Sequence, residues 1–133
     1  MVRLMVLVCL AVLARAPAPM AQDGALRLPS GLEARLQEVL TDQRAGGGLT
    51  YRFRFVAEGL EGGDAALEQV MADLEWLCNE YALPRIANIG PQPGRVVISL
   101  ADRPSTFGVY DPGVVQVFEG YSPDADRCNW EMF

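Results

Sequence analysis

Residues 64–83, DAALEQVMADLEWLCNEYAL, constrain the fold of this chain more than any other stretch. Leu67, Val70, Met71, Leu74, Leu77, Cys78 and Tyr81 recur at the i, i+3, i+4, i+7 spacing of a helix with one apolar face. Such a face has to be buried against another element. The spacing predicts one principal helix over 64–82. The glycine-containing loop 58–63 leads into it, Asp64 serves as its N-cap, and it stops just ahead of Pro84.

Strands supply the surface for that helix to lie on. Residues 49–57 alternate most clearly, with Leu49, Tyr51, Phe53 and Phe55 on one side and Thr50, Arg52 and Arg54 on the other. Residues 95–101 contain Val-Val-Ile-Ser-Leu, the composition of an inner strand. Residues 114–121 hold three valines and two aromatics and read as a strand in preference to a short helix opened by Pro112. In 127–132, Cys128, Trp130 and Met132 share an apolar face.

Residues 32–42 fit two patterns. Leu32, Leu36, Val39 and Leu40, with Ser30 and Glu33 placed as a capping box, suit a helix. The alternation of Leu36, Glu38 and Leu40 against Gln37, Val39 and Thr41 suits a strand. The turn at 44–48 before a strong strand favours a hairpin, and both readings stay open. Residues 22–28 carry no pattern and read as a loose lead-in. The expected architecture is α+β: a small antiparallel sheet of four to five strands, one principal helix packed across it, and one disulfide.

The disulfide follows from the leader. Arg3, the apolar run 4–13 and the small-residue, proline-rich exit 16–21 form a secretory signal peptide, its core too short to span a bilayer. Its removal divides the chain into a signal at 1–21 and a single domain at 22–133, exported to the periplasm or beyond, with no membrane span. Cys9 leaves with the signal. Cys78 and Cys128 remain in an oxidising compartment, each on a predicted apolar face, and are expected to pair.

Charge and composition narrow the function classes. The mature chain keeps nine arginines against seventeen carboxylates, a net charge of −8, and contains no lysine or histidine. That acidity opposes nucleic acid and anionic lipid. Without histidine there is no Ser-His or Cys-His pair and no ordinary zinc site, so neither a cofactor nor a metal is implied. Asp124-Ala125-Asp126 reads as a turn, since it lacks the further oxygens of a calcium loop.

The run LPRIANIGPQPGRVVISLADRPSTFG, then VFEGY and the closing CNWEMF, resembles an uncharacterised family of small exported alphaproteobacterial proteins, a domain of unknown function. The resemblance extends over most of the mature chain and is firmest from Leu83 onward. It carries no activity, cofactor or catalytic residue. Members are sometimes labelled acetolactate synthase, a label unsupported by a chain this short with no thiamine-diphosphate motif.

The candidate site residues are correspondingly few. On a helical wheel Trp76 lies nearly opposite the apolar stripe, among Glu68, Asp73 and Glu80. A tryptophan ringed by acids is an anchor for a protein partner in the envelope, unless loop 90–94 or the N-terminal segment covers it. Trp76, Asp73 and Glu80 are therefore the partner-binding candidates. Arg52 and Arg54 form a small basic strip, expected to pair with neighbouring carboxylates. The leading function is a non-enzymatic exported interaction or accessory module. The alternative is a small carboxylate-based hydrolase, with Asp102 and Asp111 as its acid/base pair.

Overall fold

A computed structural model describes residues 24–43 and 48–132. The expected signal peptide at 1–21 and most of the turn at 44–48 lie outside the described residues. Six strands form one sheet in the order of the chain: β1 (Leu26–Arg27), β2 (Glu33–Gln43), β3 (Leu49–Val56), β4 (Arg95–Ala101), β5 (Gln116–Pro123) and β6 (Cys128–Glu131). Segment 32–42 resolves as strand, paired antiparallel to β3.

The sheet departs from expectation in two ways. It has six strands, not four to five, because the patternless lead-in contributes β1, a two-residue strand on the edge of β2. It is also mixed, since β3 and β4 run parallel while every other pair is antiparallel. The parallel pair follows from the connection. A helix carries the chain back to the starting end of β3 before β4 begins, as in a βαβ crossover.

That connection is one helical rod in four pieces: a 3₁₀ turn (Asp64–Ala66), α1 (Leu67–Trp76), a π turn (Leu77–Ala82) and α2 (Leu83–Ile89). The N-cap position belongs to Gly63, at φ +101°, and not to Asp64, which is the first residue of the 3₁₀ turn. The rod also runs through Pro84, where the sequence predicts a stop. The π turn is the physical reason. Leu83 N–H donates to Cys78 O, five residues back, so α2 begins as a fresh helical segment with Pro84 in its first turn. Proline is tolerated there because the N–H it lacks has no obligatory partner. Arg85 helps the carbonyls left behind: its Nη1 donates to Tyr81 O at 3.0 Å, and its guanidinium lies 3.6 Å over the Tyr81 ring. Among the described residues no helix is long and apolar enough to cross a membrane.

The core lies between the rod and one face of the sheet. Val70, Leu74, Leu77, Cys78, Tyr81, Ala82 and Ile86 meet Tyr51, Phe53, Phe55, Val96, Ile98, Leu100 and Tyr121, all buried. Inward residues through the π turn and beyond come at 77, 78, 81, 82 and 86, a spacing widened by its i→i+5 bonds. The stripe read from the sequence is thus the buried one, except that Leu67 at its start is 49% exposed and Met71 is half-buried.

Cys78 and Cys128 are bonded, with Cα atoms 6.1 Å apart. Next to the bridge, Cys128 N–H donates to Asn79 Oδ1 at 2.8 Å, so two adjacent residues of the π turn hold β6. The rest of that strand is not buried. Trp130 is 52% exposed and Met132 78%, although they share a face with Cys128. β6 is an edge strand, and only its first residue reaches under the rod. Trp130 Nε1–H donates instead to Glu119 Oε2 on β5, at 3.0 Å.

Candidate functional site

The three partner-binding candidates on the rod occupy different environments. Glu80 is exposed, Trp76 is half-buried with its ring against the edge of the core, and Asp73 is fully buried. Asp73 lies three residues from Val70 and four from Leu77, on the flank of the stripe, where segment 28–32 packs down over it. Its Oδ1 accepts the Ser30 N–H at 2.9 Å, while its Oδ2 has no partner among the described residues. Asp73 therefore cannot ring Trp76 on an outer surface. A prediction follows for its structural role. Asp73→Asn keeps the acceptor for Ser30, so the urea midpoint should hold. Asp73→Ala leaves the Ser30 N–H unpaired and should cost about 2 kcal/mol in the same measurement.

The hydrolase pair is likewise committed to structure. Asp102 Oδ1 accepts the Val115 N–H at 3.0 Å, and its Oδ2 meets Arg103 Nη2 at 2.9 Å. The Arg103 hydrogen bond, helped by that of Val115, holds the Asp102 carboxyl below its ordinary value. A general acid needs the opposite shift. Asp111 Oδ1 accepts the Gly113 N–H at 2.9 Å, closing a turn. Asp124 does the same in the β5–β6 hairpin, accepting from Asp126 N–H, Arg127 N–H and Asn129 Nδ2, and these bonds lower its carboxyl, that of Asn129 most.

A built site stands instead on the sheet face away from the rod. Alternation along β3 turns Tyr51, Phe53 and Phe55 into the core and sends Arg52 and Arg54 to the other side. Loop 102–115, between β4 and β5, crosses over them. Ser105 is the anchor: its carbonyl accepts from Arg54 Nη1 at 3.1 Å and from Gln37 Nε2 at 2.9 Å, and its hydroxyl accepts from Arg54 Nη2 at 3.0 Å. Gln37 sits at a break in the β2–β3 register, between the pairs Leu36–Phe55 and Glu38–Arg54, so the irregularity aims it at the loop. Arg54, only 3% exposed, also pairs with Glu38, its register partner. The expectation of carboxylate pairing thus holds for Arg54.

Arg52 is different. It makes no hydrogen bond or ion pair among the described residues, and its Nε is buried without a partner. The Phe107 ring stands over both cations, 5.0 Å from the Arg52 guanidinium carbon and 5.5 Å from that of Arg54. Desolvation lowers the Arg52 pKa; Asp42 opposes the shift and Arg54 adds to it. Beneath Phe107 lies a cavity of about 270 Å³. Arg52, Arg54, Ser99 and Gln116 supply its polar groups, and Phe107, Val109, Tyr110 and Phe118 its apolar rim. Ser99 is buried, and its hydroxyl accepts from the exposed Gln116 through Nε2 at 2.8 Å, which ties two residues of the cavity lining together.

Of these residues, only the two arginines stand out in the sequence. Phe107, Val109 and Tyr110 carry a weaker signal, three large apolar residues in a glycine- and proline-punctuated loop where polar ones are usual. All three are substantially exposed, Tyr110 at 89%. Gln37 and Ser105 are 68 positions apart, and nothing local marks them as partners.

Comparison with curated proteins and with solved structures returns no match. A family model does match, over residues 8–133, and it is a family of unknown function (DUF6497). The chain belongs to that family.

Proposed function

We propose that the protein is an exported, non-enzymatic binding module whose working surface is the loop-covered face of the sheet. The reading includes removal of residues 1–21 and a single mature domain at 22–133. The leader sequence supports export, and a disulfide is at home in an oxidising compartment. The observation that carries the reading is the Arg52 guanidinium, without a hydrogen-bond partner among the described residues, at the wall of a cavity rimmed by exposed aromatic side chains. A partly buried cation with open donors costs free energy in the unliganded protein, and a ligand that supplies acceptors offsets that cost. Exposed aromatics on a loop pinned by Arg54 offer contact area at small entropic cost.

The test is chemical-shift mapping of the ¹⁵N-labelled protein against a size-fractionated envelope extract. Shifts should concentrate at 105–110 and 116–118, vanish in Phe107→Ala, and leave the spectrum of the extract unchanged with time. Shifts around Trp76, equal shifts in the variant, or progressive conversion of an extract component would each overturn the reading.

A further inference from the structure

We infer that the Arg52 cavity takes a small organic acid, one carboxylate carried on a flat apolar body. The inference rests on the binding-module reading above and names the ligand class of that same site. Three observations converge on it.

The first is charge. Two guanidinium groups line the cavity, but Arg54 is occupied by Glu38 and by both oxygens of Ser105. Among the described residues Arg52 is left with open donors, and its fork matches the two oxygens of a carboxylate. Asp42 already gives Arg52 some counter-charge, so its open donors suit no more than one further negative charge. A dianionic phosphate would bring a second into a protein that is already net negative, without a second cation to meet it. Monoanions are therefore preferred.

The second is shape. Phe107 and Phe118 both line the cavity, one from the loop and one from β5, with Val109 and Tyr110 next to Phe107 on the loop. Flat apolar bodies pack against such walls, and the ring of Phe107 already lies over the cation that would hold the acid group. A volume of about 270 Å³ falls below the range of drug-sized sites, roughly 300–1,000 Å³, so the occupant is a single-ring or short branched acid.

The third is the polar lining. Gln116 and Ser99 are tied to each other, which leaves the Gln116 carbonyl oxygen and the Ser99 hydroxyl hydrogen to serve a polar substituent on the ligand. An anion also relieves the burial of the Arg52 charge, because a counter-charge offsets the desolvation that lowers its pKa.

The probes are phenylacetate, its neutral isostere phenylacetamide, and inorganic phosphate, each titrated into the intact protein and followed by amide shifts of residues 52, 107, 116 and 118. Phenylacetate should bind at least tenfold more tightly than either of the other two, and Arg52→Met should remove that preference. Arg52→Lys should restore part of it, since it returns the charge without the fork. Equal binding of the acid and the amide to the wild-type protein would overturn the inference and needs no variant that might misfold. So would absence of phenylacetate binding. If the extract still shifts loop 102–115 in a Phe107-dependent way, the binding module survives and only the ligand class fails. If phenylacetate binds through Arg52 but the extract leaves the loop untouched, the broader reading fails instead.

Discussion

Removing the Cys78–Cys128 bridge, through Cys78→Ser with Cys128→Ser, is expected to lower the unfolding free energy by about 4 kcal/mol. The bridged residues are 50 apart in sequence, and the estimate is the chain entropy that a ring of that size withholds from the unfolded state. The native state adds a local reason. β6 is four residues long, and besides its ladder to β5 and the side-chain bonds of Asn129 and Trp130 to that strand and the turn after it, it is held by the bridge, by the adjacent Cys128 N–H bond to Asn79 and by Arg95 with Glu131. Loss of the bridge should therefore show first as faster amide exchange in 128–131, before the global transition. Urea unfolding of the oxidised protein, the reduced protein and the double serine variant measures the first effect, and hydrogen exchange the second. A midpoint indifferent to reductant would show that the bridge contributes nothing.

Phe55→Ala is expected to cost about 4 kcal/mol, within the range for deleting a buried aromatic ring. Phe55 is buried in β3, opposite Leu36 on one neighbouring strand and Leu100 on the other. Its ring meets Tyr81 edge-on at 5.2 Å. Tyr81 belongs to the π turn, so the cavity would open between the rod and the sheet. Phe55→Leu keeps most of the volume and should cost only about 1 kcal/mol. The check is the urea midpoint with the slope unchanged. Combined with the double serine variant, the loss sums to about 8 kcal/mol, comparable to the whole stability of an ordinary domain, so the triple variant should be unfolded at 25 °C. A cooperative transition in that protein would show that the two losses together fall short of the wild-type stability.

Local periodicity makes part of this fold legible in the amino-acid sequence alone. The alternation of Leu49 to Phe55 and the stripe from Val70 to Tyr81 are each a property of one element, and each is buried as its spacing implies except at Leu49 and Met71, which are half-buried. Patterns fail where the outcome depends on a distant partner. Trp130 and Met132 share a face with Cys128, but the face is buried only as far as the rod extends. Asp73 has the charge of a surface residue, and segment 28–32, with no periodicity of its own, closes over it. Pro84 predicts a helix end under α-helical geometry, and nothing in the sequence announces the π turn that lets the rod continue. The basic strip at Arg52 and Arg54 is visible in the sequence, but the difference between the two arginines is not. That difference is made by Glu38, by Ser105 and by the course of the loop.

The bridge has a topological consequence as well as an energetic one. The chain from Cys78 to Cys128 is a closed covalent ring, and loop 102–115, with its exposed Phe107 and Tyr110, lies inside it. A protease that cuts this loop opens the ring but releases no fragment. The nicked molecule keeps both halves, gains the mass of one water, and separates only when the sulfurs are reduced. The most accessible aromatic segment of the protein can therefore be severed without being shed.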